Sequence, residues 1–136
     1  MTSSASTNRN NKSILVVDDE NAIVDIIKQS LQRQEFKVCA FTDPFKALAH
    51  FNSDPKDYHG TVLSDIRMPG MNGYEFVRRV KESDPKVKVV LMSAFEINEK
   101  EFHNLLPDIK VDSFLQKPFS IQRLNDVVEK ISLNSQ

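Results

Sequence analysis

Five short apolar runs, rich in β-branched residues, alternate along this chain with five longer segments whose apolar residues recur at helical spacing. A continuous apolar run is typical of a strand buried on both faces, as the strands of a parallel sheet are. The alternation therefore predicts an α/β fold, a doubly wound, five-stranded parallel sheet flanked by five helices. The predicted strands are Ile14–Val17, Lys37–Phe41, Thr61–Asp65, Val87–Met92 and Asp112–Gln116.

The helices between these strands are predicted from apolar periodicity and from capping residues. The first covers about residues 21–34, and Pro107 ends the fourth early because proline cannot continue the hydrogen-bond ladder. The starts of the other helices are indicated by Asp43 before Pro44, Asn72 with Glu75, Asn98 with Glu101, and Ser120. The residues expected on buried helix faces are Ile23, Ile26, Ile27, Ser30, Leu31, Phe45, Leu48, Phe51, Phe76, Val77, Val80, Ile121, Leu124, Val127, Val128 and Ile131.

Length and charge exclude several classes of protein. A chain of 136 residues suits one domain, and 18 basic against 19 acidic side chains leave a formal charge of −1. We therefore expect no concentrated basic face and no direct binding to nucleic acid. With three glycines in all, the chain has no glycine-rich strand-to-helix loop of the kind that P-loop or dinucleotide-binding proteins use.

The ends of the chain and its single thiol bear on its setting. Residues 1–12 are polar and predict a disordered tail, residues 13–133 form the predicted domain, and we expect no effector domain after it. No apolar stretch matches a membrane span or a signal peptide, so we expect a cytoplasmic protein without membrane insertion. Cys39 agrees with a reducing compartment, and we expect neither a disulfide framework nor a zinc site from one thiol.

Polar residues follow the carboxyl ends of four predicted strands. They are Asp18-Asp19-Glu20, Asp65, Ser93 and Lys117-Pro118. In open α/β sheets the ligand lies outside the carboxyl ends of the strands. Each residue type has a common structural role there, in turns or as a solvated charge, but four such roles coinciding at one edge is improbable. The sequence therefore predicts a site built from carboxylates, a hydroxyl and an amine.

The charges indicate what this site binds. Carboxylates crowded together repel by about 4 kcal/mol per pair at close range and intermediate dielectric, so they stay ionised together only around a cation. Oxygen ligands in small number favour Mg²⁺, which commonly bridges to phosphate. A metal, an amine and a hydroxyl around a nucleophilic carboxylate make a phosphoryl-transfer site.

Taken together, these motifs resemble the receiver domain of two-component response regulators. The motifs that carry the resemblance are Asp18-Asp19, Asp65 followed by Met68-Pro69-Gly70 and Gly73, Ser93-Ala94, and Lys117-Pro118-Phe119. The resemblance extends from residue 13 to about 133, and the combined pattern is far more specific than any one motif. It implies a flavodoxin-like sheet with strand order 2-1-3-4-5. Chemotaxis receivers are a known example of this order, which we take from the family and not from the residues.

The resemblance also implies residue roles. Asp65 would accept a phosphoryl group from a phosphohistidine of a histidine kinase or phosphotransfer protein. Mg²⁺, or Mn²⁺ in its place, would be bound by Asp19, Asp65 and the backbone carbonyl of Arg67, with Asp18 acting through bound water. Lys117 and Ser93 would contact the phosphoryl oxygens, Phe114 would move into the space that Ser93 leaves, and Arg67 and Phe95 would set the phosphoryl lifetime.

As a switch and not an enzyme, such a protein would act through partners. Phosphorylation would change the surface of the fourth helix, fifth strand and fifth helix, and a downstream effector protein would dock there. We expect a monomer or a weak, phosphorylation-dependent dimer. Phe114 stands where the family often has tyrosine, and Leu106–Val111 replaces the usual Gly-Ala approach to the fifth strand, so the switching surface departs from the family pattern.

Two other functions stay open. A receiver fold could bind partners without being phosphorylated. An aspartyl-phosphate phosphatase would need an aspartate two residues after its nucleophile and a cap domain, and Asp18-Asp19-Glu20-Asn21 lacks that arrangement.

Overall fold

The computed structural model describes residues 13–53, 59–95 and 99–133. They form one five-stranded parallel sheet with the order β2-β1-β3-β4-β5, which confirms the predicted fold class and strand order. Each strand pairs in parallel with its neighbours, for example Val17 with Phe41 and Val17 with Ser64. The strands are β1 Ser13–Val17, β2 Lys37–Phe41, β3 Thr61–Asp65, β4 Lys88–Ser93 and β5 Ser113–Gln116.

Helices cover both faces of the sheet. They are α1 Asn21–Arg33, α2 Pro44–Ser53, α3 Gly73–Ser83, α4 Glu99–Leu105 and α5 Ile121–Leu133. Alternate residues of a strand point to opposite faces, so Ile14 and Val16 pack with α1 and α5, while Leu15 and Val17 pack with α2, α3 and α4. The central strands β1 and β3 are buried along their whole length, which gives the residues at their ends a stiff support.

Strand boundaries differ slightly from those predicted. The fourth strand is shifted by one residue, so that Ser93 is its last residue and pairs with Gln116. The fifth begins at Ser113, one residue later than expected. Asp112 nevertheless extends the pairing, because its N–H bonds to the carbonyl of Val89 at 2.8 Å and its carboxylate accepts from the Val89 N–H at 2.8 Å.

Three of the predicted helix caps are confirmed. Asn72 accepts a hydrogen bond from the N–H of Glu75 at 2.9 Å. The side chains of Asp43 and Ser120 likewise accept from the N–H two and three residues ahead of them, at 2.8 and 3.0 Å. The predicted cap Asn98 lies outside the described residues. α4 has seven residues and ends before Pro107, as expected.

The predicted burial of three apolar residues is wrong. Ile26 is 49% exposed, Phe45 53% and Ile121 50%. Phe45 and Ile121 lie in the first turns of α2 and α5, and Ile26 lies beside the buried stripe of α1, which contains Val24 and Ile27 instead. The other predicted core residues of α3 and α5 are buried.

Among the helices that the structure describes, none is long and apolar enough to span a bilayer. The predicted polar tail, residues 1–12, lies outside the described residues.

Candidate functional site

Three carboxylates converge at the carboxyl ends of the two central strands. Asp18 directly follows β1 and Asp65 is the last residue of β3. One oxygen of Asp18, one of Asp19 and one of Asp65 lie within 4.8 Å of one another. Asp18 is fully buried and Asp65 is 6% exposed, whereas Asp19 faces solvent. The structure thus brings together the three acids predicted from separate parts of the sequence, and we call them the acid cluster.

Lys117 reaches into the acid cluster from the loop after β5. Its Nζ donates to Oδ2 of Asp18 at 2.6 Å and lies 3.4 Å from Oδ1 of Asp65. A third acid, the exposed Glu20, has its Oε1 3.6 Å from the same ammonium. The side chain of Lys117 is 10% exposed, so this ammonium is largely removed from water.

Burial dominates the electrostatics of the site. The pKa of Asp65 is raised from 3.8 to about 6, because loss of hydration, first, and the nearby charge of Asp18, second, outweigh the opposing effect of Lys117. Burial also raises the pKa of Asp18, although Lys117 again opposes the shift. For Lys117 burial lowers the pKa, but the bonds to Asp18 and Asp65 outweigh it and leave the pKa raised. One ammonium therefore neutralises only part of the negative charge that the fold gathers here.

The backbone orients both buried carboxylates. The N–H of Glu20 donates to Oδ1 of Asp18 at 3.0 Å, and the N–H of Ile66 donates to Oδ1 of Asp65 at 3.0 Å. These bonds fix one oxygen of each side chain.

Gly73 allows α3 to begin directly against the phosphoacceptor candidate. Its N–H donates to the carbonyl of Ile66 at 2.7 Å. A Cβ at this position would lie 2.4 Å from the carbonyl oxygen of Asp65 and 2.8 Å from Cα of Ile66, closer than any side-chain carbon can approach. The sequence motif contained this glycine, but only the packing explains why no larger residue fits.

Ser93 lies at the neighbouring strand end, connected to Lys117 through the backbone. The Lys117 N–H donates to the carbonyl of Ser93 at 2.7 Å. The hydroxyl of Ser93, which is 6% exposed, accepts from the N–H of Phe95 at 3.0 Å. The hydroxyl is thus held by its own loop in this state.

Arg67 and Phe95, which the sequence assigned to the same role, contact each other. The guanidinium carbon of Arg67 lies 4.4 Å from the centre of the Phe95 ring, and that ring is 57% exposed. The cation–π pair joins the loop after β3 to the loop after β4 at the rim of the site. Sequence alone did not indicate this contact, because nothing in the spacing of the two residues records it.

Phe114 lies away from the acid cluster. Its ring packs edge-on against Phe102 of α4, with ring centres 5.7 Å apart and planes at 80°. Phe102 is 2% exposed, so Phe114 connects β5 to the buried face of α4.

The donor set of the acid cluster fits a hard divalent cation. All its ligand atoms are carboxylate oxygens, the ligands that Mg²⁺ prefers. A cation there would also offset the repulsion and desolvation that raise the pKa values of Asp18 and Asp65.

Comparison with known proteins agrees with this architecture. The profile of a family described as "Response regulator receiver domain" matches residues 14–129. The chain is 28% identical over 127 residues to the alkaline phosphatase synthesis transcriptional regulatory protein PhoP of Bacillus subtilis (strain 168), covering 93% of this chain and 50% of that protein. It is 27% identical over 120 residues to the sporulation initiation phosphotransferase F of the same strain, covering 88% and 93%. The chain thus spans half the length of one relative and nearly all of the other.

The fold has solved counterparts as well. A receiver domain protein (CheY-like) from Methanospirillum hungatei JF-1 superposes with a TM-score of 0.81 at 24% identity, covering 91% of this chain and 95% of that one. This likeness concerns the fold.

Proposed function

We propose that this chain is a signalling switch whose Asp65 accepts a phosphoryl group. The premise is that the chain belongs to the family of response regulator receiver domains. The observation that carries the proposal is the position of the Lys117 ammonium, 2.6 Å from Asp18 and 3.4 Å from Asp65, beside three converging carboxylates. Modules of this family act in two-component signalling.

The proposed reaction is a displacement at phosphorus. A carboxylate oxygen of Asp65 attacks the phosphorus of a phosphohistidine, the P–N bond breaks, and the imidazole nitrogen takes the bonding electron pair. Oδ1 of Asp65 already accepts from the Ile66 N–H, so Oδ2 is the oxygen we assign to the attack. Lys117 supplies positive charge for the phosphoryl oxygens, and a backbone held by buried β3 keeps the nucleophile in place.

A divalent cation belongs to this proposal. Asp19 and Asp65 would hold it together with the backbone carbonyl of Arg67, and Asp18 would act through bound water. Mg²⁺, or Mn²⁺ in its place, would neutralise charge on the transferring group. The raised pKa values of Asp18 and Asp65 support this assignment, since burial disfavours both ionised carboxylates, Lys117 only partly offsets this, and a bound cation would favour the ionised forms.

The switch follows from the added charge. An aspartyl phosphate carries about two negative charges, which favour a state where Ser93 and Lys117 both donate to it. In that state the Ser93 hydroxyl would turn from its bond with the Phe95 N–H and donate to the phosphoryl group. Phe114 would then shift, and its edge-on contact with Phe102 would carry the change to the surface of α4, β5 and α5.

Arg67 and Phe95 would tune the lifetime of the phosphorylated state. Their stacked side chains lie at the rim of the acid cluster, where water for hydrolysis would enter. The donor partner would be a histidine kinase or a phosphotransfer protein, and the recipient of the signal a docked effector.

The test is phosphorylation of the purified protein by acetyl phosphate with Mg²⁺, followed by intact-mass spectrometry. Wild type is expected to gain the mass of one phosphoryl group, and hydroxylamine should remove it because an acyl phosphate is a mixed anhydride. Asp65→Asn should gain none. Asp25→Asn, at an exposed aspartate of α1, is the matched control and should behave as wild type.

Two results would contradict the proposal. Labelling of Asp65→Asn to the wild-type level would place the phosphoryl group elsewhere. A wild-type protein that neither binds Mg²⁺ nor becomes labelled would favour the phosphorylation-independent binding module.

A further inference from the structure

A second group of metal-ligating side chains lies at the opposite end of the sheet. Cys39 comes from β2, His50 from the last turn of α2, and His59 from the segment before β3. One ligand atom of each lies within 4.8 Å of the other two. His59 is 1% exposed, and the other two are half-buried. We call these residues the Cys-His-His cluster.

The two imidazoles already face each other at near-metal spacing. Nε2 of His50 lies 3.0 Å from Nε2 of His59, with ring centres 5.1 Å apart. Two zinc–nitrogen bonds of ordinary length at a tetrahedral angle place their nitrogens about 3.3 Å apart, and a zinc–sulfur bond places the sulfur about 3.6 Å from each nitrogen. An ion could therefore take the place of the proton between the two Nε2 atoms with small shifts of the side chains, and that proton would move to Nδ1 of the same imidazole, which stays neutral.

A hydroxyl group orients the buried imidazole for this role. Nδ1 of His59 lies 2.9 Å from Oγ of Ser13, the first residue of β1. If the ring nitrogen donates to the serine, Nε2 keeps its lone pair directed at His50. Metal-bound histidines in proteins are held in this way by a partner on the second ring nitrogen.

We infer that Cys39, His50 and His59 bind a transition-metal ion, and the ligand set selects Zn²⁺. One thiolate and two neutral imidazoles are soft to borderline ligands, which suit zinc and not magnesium. The fourth position is taken by water. Binding converts the Cys39 thiol to a thiolate and releases one proton per ion. The expectation of no zinc site rested on counting thiols, whereas two of the three ligands that we infer are imidazoles.

This site and the acid cluster are separate. Six residues of nearly extended chain lead from His59 to Asp65, a span of about 20 Å, and Cys39 is in register with Leu15, about 10 Å along β1 before Asp18. Oxygen ligands at one end and nitrogen and sulfur ligands at the other also differ in metal preference. Excess Mg²⁺ should therefore leave zinc binding intact.

The experiment uses full-length protein freed of any affinity tag, titrated with Co²⁺ in the presence of excess Mg²⁺. Wild type should develop near-ultraviolet thiolate-to-cobalt absorption and visible bands of tetrahedral cobalt, and Zn²⁺ should displace them with release of one proton. Cys39→Ser and His50→Gln should weaken Zn²⁺ binding by more than ~100-fold, since loss of an outer-shell partner alone costs 10–100-fold. Ser13→Ala should fall within that outer-shell range.

Two controls isolate the site. His103→Gln removes an exposed histidine from α4 and should leave Zn²⁺ affinity unchanged. Asp65→Asn should leave it unchanged as well. Cobalt spectra that are the same in Cys39→Ser as in wild type would overturn the inference, and so would Zn²⁺ binding lost in Asp65→Asn and kept in His50→Gln.

Discussion

The two ends of the sheet gather ionisable groups in opposite ways. At the carboxyl end, the acid cluster concentrates like charges around one ammonium, and burial works against the charged forms. At the amino end, the Cys-His-His cluster gathers one thiol and two imidazoles, and Nε2 of His50 lies 3.0 Å from Nε2 of His59. At the acid cluster, burial makes the ionised carboxylates unfavourable, and binding of a cation or phosphorylation would change this contribution to the free energy of unfolding. Stability measurements can therefore separate the two ends.

The largest effect is expected from Lys117→Met. Removing one partner of a buried ion pair leaves uncompensated carboxylates and costs about 3–5 kcal/mol. We expect that loss in the free energy of unfolding at pH 7.5, measured by denaturant titration, and a smaller loss at pH 4, below the pKa of about 6 of Asp65, where this carboxyl is protonated. Lys110→Met is the control, since Lys110 is 77% exposed and 3.8 Å from Asp112, and should change stability by less than ~0.5 kcal/mol. An equal loss at both pH values would contradict the electrostatic origin.

Asp65→Asn should act in the opposite direction. A folded-state pKa of about 6 against 3.8 means that the folded protein binds more protons than the unfolded chain in this range. Stability from this group is therefore present below pH 3.8 and is lost as pH rises through about 6, by about 3 kcal/mol. The asparagine variant should be more stable than wild type at pH 7.5 by up to this amount and equal to it at pH 3.5. Denaturant unfolding curves of both proteins without Mg²⁺ measure this difference in the free energy of unfolding. Added Mg²⁺ should make the difference smaller, because it would stabilise wild type more than the variant.

Gly73→Ala tests the support beneath the acid cluster. Because the new methyl would meet the carbonyl of Asp65 at 2.4 Å, α3 must move, and we expect a loss of about 1–3 kcal/mol. Alanine favours a helix more than glycine does. A variant more stable than wild type would therefore mean that the backbone around Asp65 shifts easily to relieve the contact with the new methyl group. Glu82→Ala, at an exposed position of the same helix, should stay within ~0.5 kcal/mol of wild type.

The smallest effect is expected at the amino end. Ser13→Ala removes the hydroxyl that lies 2.9 Å from His59 and should cost about 1 kcal/mol, without altering Mg²⁺ affinity. Ser83→Ala removes an exposed hydrogen bond to Asn52 and should change stability less. A change in Mg²⁺ affinity of Ser13→Ala, measured by calorimetry, would show that the two ends are coupled.

The same contrast explains what could be predicted from the sequence. The sheet and its carboxyl edge were predictable, because Asp18, Asp65 and Lys117 each follow a recognisable apolar run. A parallel sheet brings such strand ends together by its topology. The residues alone therefore predicted which side chains would meet there.

Other features were not predictable because no local pattern records them. The Cys-His-His cluster combines a mid-strand residue, a last helical turn and a loop, at separations of no fixed period. Ile26, Phe45 and Ile121 have apolar spacing, yet they are exposed, because burial depends on which side of each helix packs on the sheet. The close approach of Gly73 to Asp65 likewise depends on the packing of α3 and not on the motif that contains it.

The enclosed ammonium of Lys117 has a consequence for chemical labelling. Acylating reagents attack the unprotonated amine, and this amine is both protonated by its neighbours and 10% exposed. Lys117 should therefore react far more slowly than Lys110, and peptide mapping after a short pulse of reagent would measure the ratio. Any event that draws the side chain out of its pocket would register as a gain in modification at this one position, a covalent record of how often the site opens.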